Sequence, residues 1–263
     1  MGAVLSWKNL VEASGAEITV SSAEAGLGPR GMLTPQVQDI WRSGTWNIST
    51  TVTVEIDLKQ MTPFRLVAIA APRDGLLPPA GSTITLTAST LGPSLSDALF
   101  VANSPASLLP WGVWAWSSKT QVVARYIKLT FNYGGVIFLS SNVQLGRLWV
   151  GDGLVTTDSY AYGHARSFRD PGLSSRAGLT GIRYATRGLP YRVERIAFPI
   201  LTESEASSIV TASSEVGTSG QVFFAREEAY LGEGLFGHFS EVPAVNRELE
   251  DLWTTDFQIE EDN

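Results

Sequence analysis

The segment Val52-Thr-Val-Glu-Ile-Asp-Leu-Lys-Gln-Met-Thr-Pro-Phe-Arg-Leu-Val-Ala-Ile-Ala70 decides the fold. In its first part, residues 52–58, apolar side chains alternate with Thr, Glu and Asp. This period of two predicts a strand with one buried and one wet face. The last part, residues 64–70, is an apolar run that is typical of a strand covered on both faces. The segment therefore predicts two strands with different surroundings.

The sequence on either side of this segment predicts more short strands separated by turns. Alternating residues at 83–88 indicate one strand, and residues 123–131 place Val123 on one face with Ile127, Leu129 and Phe131. The last strands of this half are expected at 137–139 and 145–150. Several short strands joined by Gly- and Pro-containing turns predict a β-sandwich or jelly roll over residues 34–150. The stretch 98–118 is expected to be a long loop.

Residues 151–263 predict a second β domain that contains one short helix. The helix is expected at about 203–216, because Thr202 and Glu205 form a capping box and Gly217 suits the helix end. A polar loop is expected at 170–177. The strands are expected at 160–169, 181–184, 191–198, 221–225, 235–240 and 253–259.

Residues 1–33 are rich in Ala, Gly and Ser and predict an extended arm with one short strand near 17–21. Such an arm is either loose or packed on a neighbouring molecule. The predicted fold class is therefore all-β, with two β-sandwich or jelly-roll domains, at 34–150 and 151–263, that follow the arm.

Composition excludes several classes of function. The chain has 263 residues, 44% of them hydrophobic and 17% charged, which suits a well-packed core. The net charge is −7 and no basic run is present, so nucleic-acid binding is not expected. The absence of cysteine excludes disulfides and thiolate chemistry. No apolar run is long enough for a membrane span, and the first residues do not form a signal peptide.

The polar residues do not form a recognisable catalytic or metal-binding set. His164 and His238 each lack a second ligand at metal-binding spacing, so a structural role is the preferred interpretation. Glu55 and Asp57 lie two residues apart on a strand and are expected on its wet face. Asp152 lies between two glycines, where a turn residue and a cation ligand are the two interpretations. We therefore expect no enzyme activity and no cofactor.

Three tryptophans close together are the most ambiguous feature. Trp111, Trp114 and Trp116 fall in the predicted loop at 98–118. Indole rings stack well on sugar rings, so a glycan-binding platform is one interpretation. The other, which we prefer, is that these rings fill a core or contact another subunit.

Four segments of the first half carry a family resemblance. They are Asp39-Ile-Trp41-Arg-Ser, Val52-Thr-Val-Glu-Ile-Asp57-Leu, Ala124-Arg-Tyr126-Ile-Lys-Leu and Gly146-Arg-Leu-Trp-Val-Gly151. Together they resemble galactose-binding-like, or discoidin-type, jelly rolls, over about residues 34–150. The resemblance implies a jelly-roll scaffold. In that family a calcium site or aromatic loop residues are frequent, but the segments matched here belong to the scaffold alone.

Five segments of the second half occur in an order similar to another family. They are Arg187-Gly-Leu-Pro-Tyr-Arg, Ala197-Phe-Pro-Ile-Leu-Thr-Glu-Ser-Glu-Ala, Gln221-Val-Phe-Phe, Leu235-Phe-Gly-His-Phe and Trp253-Thr-Thr-Asp-Phe-Gln-Ile-Glu-Glu. This order resembles the carboxy-terminal domain of minor tail proteins of tailed bacteriophages, including distal-tail-like subunits of the baseplate. The resemblance implies a virion structural protein, made in the bacterial cytoplasm, that forms a homo-oligomeric ring and joins the tail tube to hub or fibres.

Three function hypotheses follow from these observations. The first, which we prefer, is the ring-forming tail-tip subunit, whose partners are copies of itself and other tail proteins. The second is a carbohydrate-binding module for host-surface glycan, with Trp111, Trp114 or Trp116 as the contact residues. The third and least favoured is an enzyme that acts on polysaccharide through Glu55 or Asp57.

Overall fold

The structure is a computed structural model that describes residues 2–13, 15–72, 78–79, 81–92, 100–105, 112–134, 141–157, 164–176, 183–186 and 188–262. This part of the chain is mostly β, and all of its strand pairs are antiparallel. The predicted all-β class is therefore confirmed. Among these residues no helix combines the length and the apolar character that crossing a bilayer requires.

The elements of the first half are, in chain order, β1 (Val4–Ser6), α1 (Leu10–Ala13), β2 (Glu17–Val20), a 3₁₀ helix (Pro29–Leu33), β3 (Trp41–Arg42), β4 (Val52–Ala70), β5 (Thr83–Ser89), β6 (Phe100–Pro105), β7 (Val113–Asn132), β8 (Gln144–Leu145), β9 (Arg147–Gly151) and β10 (Leu154–Val155). The elements of the second half are β11 (Ala165–Arg169), β12 (Leu173–Arg176), β13 (Arg183–Thr186), β14 (Tyr191–Leu201), α2 (Glu203–Val216), β15 (Val222–Ala225), a second 3₁₀ helix (Glu228–Glu233), β16 (Leu235–Phe239), β17 (Ala244–Leu249) and β18 (Leu252–Glu261).

The first sheet is built around β4. Its strands follow the order β2-β4-β7-β5-β6, and β9 pairs with the end of β4. The two predicted strands at 52–58 and 64–70 are one long strand, with an irregularity in between where Lys59 has a φ of 67°. One face of this sheet covers a core that includes Trp41, Trp46 and Phe131.

The second sheet contains the N-terminal residues that were predicted to form an arm. Its order is β10-β1-β15-β16-β18-β14-β11, and β17 also pairs with β18. Val4 lies between Val155 on β10 and Ala225 on β15, so β1 is an inner strand. The expectation of a loose or neighbour-bound arm is wrong for these residues, because Val4 and Leu5 are buried on opposite faces of the sheet. The predicted strand near 17–21 is β2 and pairs with β4.

The two sheets pack against each other through a shared apolar layer, which we call the inter-sheet core. Its members are Leu66, Ala68, Ala70, Val113 and Trp149 from the first sheet and Val4, Phe223, Ala225 and Phe236 from the second. The ring centroids of Trp149 and Phe236 are 5.9 Å apart. Since Val67 and Ile69 face the first core, the end of β4 is covered on both faces, as its apolar run predicts.

A buried cation also joins the two halves. Arg147 on β9 is 1% exposed, and its Nε donates to Oε1 of Gln221 at 2.6 Å. The same guanidinium donates to the carbonyl of Leu33 at 2.9 Å and contacts Glu12. Burial lowers the pKa of Arg147, and Glu12 opposes this shift. Gln221 in turn donates to Asp262 at 2.6 Å. A series of polar contacts therefore runs from Glu12 in α1 through Arg147 and Gln221 to Asp262, which follows β18.

Three sequence expectations need correction. Val123 is 47% exposed while Ala124 is buried, because the pairing of β4 with β7 shifts register between Asp57 and Thr62 and turns the strand over. The expected loop at 98–118 contains β6 and the start of β7, and the expected loop at 170–177 contains β12. The strand expected at 137–139 lies outside the described residues.

The helix prediction is confirmed in detail. In α2 the hydroxyl of Thr202 accepts from the amide of Glu205, and the Glu205 carboxylate accepts from the amide of Thr202. Gly217 ends the helix with a φ of 59°, a conformation that favours glycine. The helix packs on the second sheet, where Ile209 joins a core with Phe224 and Phe257.

We predict that Phe223→Ala lowers the free energy of unfolding by about 3 to 5 kcal/mol, because it opens a cavity between the sheets. Urea unfolding followed by circular dichroism and by tryptophan fluorescence measures the change. Phe168→Ala is the matched control: Phe168 is 51% exposed, and we expect a change within about 0.5 kcal/mol. Both probes should report one transition. Two separate transitions in the parent chain would contradict a shared inter-sheet core.

Candidate functional site

A cleft of about 670 Å³ lies where the N-terminal segment, the end of the first sheet and α2 meet. Most of its lining side chains are polar, and one is a tryptophan. They are Trp7, Lys8, Arg65, Asp152, Leu154, Val155, Thr157, Thr202, Ser204, Glu205, Ser208, Thr211 and Glu215, together with Gly153. Trp7 and Lys8 follow strand β1, and Asp152 and Gly153 lie in the loop between β9 and β10. The residues from Ser204 to Glu215 lie on α2.

Trp7 is positioned by the strand that precedes it. Strand β1 is an inner strand of the second sheet, and Trp7 directly follows it. The Trp7 ring packs against the core that the second sheet forms with Ile209 of α2. The indole N–H donates to Oε2 of Glu215 at 3.0 Å. The ring is half-buried, so part of it is in contact with solvent at the cleft.

Arg65 on β4 and Asp152 in the connection between β9 and β10 lie next to each other at the cleft. Nε of Arg65 lies 3.2 Å from Oδ1 of Asp152. These two atoms are buried, and neither has a well-aligned hydrogen-bond partner. The other Asp152 oxygen accepts from Nε2 of Gln121 at 2.7 Å. The two side chains therefore form an ion pair at the edge of the cleft.

The carboxylate of Glu205 caps the N-terminus of α2. Its Oε2 accepts from the amide and the hydroxyl of Thr202, each at 2.8 Å, and its Oε1 accepts from the amide of Thr157 at 2.6 Å. Burial alone raises the pKa of Glu205, but these hydrogen bonds outweigh burial and leave the pKa below its usual value. The carboxylate therefore stays ionised while it joins α2 to the segment after β10.

Further along α2, hydroxyl groups line the cleft. Ser204, Ser208 and Thr211 lie on one face of the helix because they are four and three residues apart. The hydroxyl of Ser208 donates to the carbonyl of Ser204, and that of Thr211 to the carbonyl of Ser207, both at 2.9 Å. The cleft thus combines an aromatic ring, hydroxyl oxygens and charged planar groups, a set that suits a polar ligand with some apolar surface.

Trp114 and Trp116, two of the three tryptophans singled out in the sequence, do not line this cleft. Trp114 is 5% exposed and belongs to the first core. Trp116 is half-buried against the same core, with its ring 6.3 Å from that of Phe64. Trp111 lies outside the described residues. The burial of Trp114 agrees with the core interpretation and leaves its ring no surface for a sugar.

The candidate histidines each contact a carboxylate of the second sheet or of the residue that follows it. Nε2 of His164 contacts the buried carboxylate of Glu194, which also accepts from Arg166 at 2.5 Å. Burial raises the pKa of Glu194, but His164 and Arg166 together hold it below its usual value. Nδ1 of His238 lies 2.9 Å from Asp262. Both histidines therefore have structural partners.

The candidate carboxylates of the first half also have cationic partners. Glu55 pairs with Lys128 at 2.6 Å, and Asp57 pairs with Arg125 at 2.8 Å on the outer face of the first sheet. The hydrogen bond from Arg125 holds the pKa of Asp57 well below its usual value. Within the described ranges no group of three or more His, Cys, Asp or Glu residues is arranged to hold a metal ion.

Sequence reasoning missed most of the cleft. Trp7 and Lys8 were assigned to the arm, and Arg65 interrupts an apolar run without a motif. Glu205 is recognisable in the sequence as part of the capping box, which places its carboxylate and the Thr202 hydroxyl at the N-terminus of α2.

Comparisons with known proteins give fold-level similarity alone. No model of a known protein family matches the chain, and no curated protein matches it. Solved structures do match. A GH29 fucosidase of Ruminococcus gnavus in complex with fucose is 18% identical, with a TM-score of 0.43 over 56% of this chain and 27% of the fucosidase. This chain therefore aligns with about a quarter of that enzyme.

Two smaller proteins are matched over nearly their whole length. A family 32 carbohydrate-binding module from Clostridium perfringens in complex with galactose is 15% identical, with a TM-score of 0.44 over 56% of this chain and 98% of the module. A fucose-binding module of Streptococcus pneumoniae is 14% identical, with a TM-score of 0.41 over 54% of this chain and 96% of the module. Similarity of this size establishes neither a common family nor a common ligand.

Two of these structures are carbohydrate-binding modules and none of the three is a virion protein. Because their TM-scores are 0.41 to 0.44, these matches decide neither the galactose-binding-like resemblance of residues 34–150 nor the tail-protein resemblance of residues 151–263.

We predict that Glu205 makes stability depend on pH in the acid range. The pKa of Glu205 is lower in the folded than in the unfolded chain, so its contribution is present above the unfolded pKa and is lost as pH falls through the folded pKa. Between about pH 5 and pH 3, Glu205→Gln should therefore lose less free energy of unfolding than the parent. Urea unfolding at several pH values measures this difference.

The control for this prediction is Glu203→Gln, which removes an exposed carboxylate from the same helical turn without touching the cleft. Its pH dependence should follow that of the parent. Equal acid sensitivity of Glu205→Gln and the parent would show that the Glu205 contacts do not stabilise the fold.

Proposed function

We propose that the protein binds carbohydrate in the cleft between the two sheets and α2. The observation that supports this is the arrangement of Trp7 beside the Arg65–Asp152 pair and the hydroxyl face of α2. A sugar presents apolar C–H faces and a ring of hydroxyl groups, and such a cleft offers a partner for each. The glycan-binding hypothesis is retained, but we propose Trp7 as its aromatic contact in place of Trp111, Trp114 and Trp116.

The polar groups beside Trp7 are those of the Arg65–Asp152 ion pair, whose side chains are 33% and 42% exposed. Nε of Arg65 and Oδ1 of Asp152 face each other and are buried, so a ligand reaches the other, exposed atoms of the two groups. A ligand hydroxyl donates to the Asp152 carboxylate and accepts from the Arg65 guanidinium. Each hydrogen bond of this kind contributes about 0.5 to 1.5 kcal/mol net, or more where a charged group takes part. The contact of the ligand with the indole adds apolar burial.

The cleft supports binding better than catalysis. Hydrolysis of a glycosidic bond needs a carboxylic acid whose pKa is raised so that it holds a proton near neutral pH. The pKa of Glu205 is shifted the opposite way. We therefore propose a binding protein and assign it no reaction.

The tail-tip ring and the virion location remain predictions from the sequence. Light scattering at several protein concentrations addresses the assembly part of that hypothesis. A closed oligomer of discrete mass would support a ring-forming subunit. A monomer at every concentration would count against self-assembly and is compatible with a carbohydrate-binding protein.

We predict that Trp7→Leu weakens binding of the parent's preferred array glycan by about tenfold or more, because the ligand loses its aromatic contact. The matched control is Trp253→Leu. Trp253 packs partly buried against the same core as Trp7 but does not line the cleft. Titration calorimetry with the glycan that the parent prefers on a glycan array measures both variants.

Equal losses in the two variants would indicate a general effect on folding and would overturn the assignment of the site. Retained binding in Trp7→Leu would overturn it as well. If the folded parent binds nothing on an array of neutral and acidic glycans, the proposed function is wrong.

A further inference from the structure

We infer that the cleft selects uncharged sugars and excludes sugars that carry a carboxylate or a sulfate group. The inference rests on the proposed function and adds the chemical class of the ligand to it. Two observations at α2 support it. The Glu205 carboxylate occupies the N-terminus of the helix, and the hydroxyls of Ser208 and Thr211 donate to backbone carbonyls of the helix.

The N-terminus of a helix normally attracts anions, because its first amides are unpaired and the helix dipole is positive there. In this cleft a side-chain carboxylate of the protein already occupies the N-terminus of α2. The carboxylate of Glu205, whose residue is 7% exposed, accepts from Thr202 and Thr157 at 2.6 to 2.8 Å. A ligand anion would have to displace this internal anion or lie beside it.

The hydroxyl face of α2 offers acceptors rather than donors. A hydroxyl group has one proton, and those of Ser208 and Thr211 are donated to backbone carbonyls of the helix at 2.9 Å. The hydroxyl of Thr202 donates to Glu205. The oxygens that line the cleft therefore accept hydrogen bonds from a ligand. Sugar hydroxyls donate such bonds, whereas an ionised carboxylate or sulfate has no proton to donate.

The charges of the cleft act in the same direction. The lining includes the carboxylates of Asp152, Glu205 and Glu215 against the cations Lys8 and Arg65. Arg65 lies 3.2 Å from Asp152, so its charge is largely balanced. Lys8 is exposed, and solvent and salt screen its attraction for an anion. An anionic group deep in the cleft would thus meet like charge where the dielectric constant is reduced.

The test uses a glycan array on which each neutral oligosaccharide is matched by the same oligosaccharide with a uronic acid or a sulfate group. We expect the 263-residue chain to bind neutral members about tenfold or more tightly than their acidic partners. Equal or tighter binding of the acidic partners would overturn the inference and leave the proposed function standing. Binding to no member of the array would overturn both.

Two variants test whether Glu205 is the cause. Glu205→Gln removes the charge and keeps a side chain that is compatible with a capping box, and should reduce the preference for neutral sugars by about threefold or more. Glu203→Gln removes an equal charge from the same turn, outside the cleft, and should keep the parent's preference. An unchanged preference in folded Glu205→Gln would contradict exclusion by the internal carboxylate. If that variant does not fold, the matched pairs on the parent protein still decide the inference.

Discussion

The end of β4 must be buried on both of its faces, and the rest of the structure depends on this requirement. Val67 and Ile69 enter the first core, while Leu66, Ala68 and Ala70 enter the inter-sheet core. Neither half of the chain covers both faces alone. The strand β1 has the same property in the second sheet, since Val4 and Leu5 lie on opposite faces. The two halves are therefore coupled through apolar surface as well as through Arg147.

The cleft is a consequence of that packing. Where the sheets meet, Arg65 comes from the first sheet, Asp152 from the connection between the sheets, and Trp7 from the N-terminal segment. The helix α2 closes the other side and is fixed by Glu205 to the amide of Thr157. Because these groups lie on a strand, directly beside strand ends or on a capped helix, their positions would be set before a ligand arrives. Such preorganisation limits the entropy lost on binding.

The sequence predicted those elements that are set by local patterns. The period of two in residues 52–58 and the capping box at Thr202 and Glu205 each depend on a few neighbouring residues, and both were found in the structure. Strand β1 has three residues, too few for a periodic signal, and it is held by partners more than 140 positions away in the sequence. The cleft combines residues from four separate segments, so no local motif marks it. The local concentration of tryptophans indicates a possible platform at Trp114, but the sequence does not show that this ring is buried in the first core.

Amide hydrogen exchange with and without a saturating neutral oligosaccharide tests most directly where the protein binds. The account predicts slower exchange in the segment around Trp7, in residues 151–157 and in the first turns of α2. No change at these three segments, with slower exchange only at another surface such as residues 24–40, would contradict the assignment of the cleft.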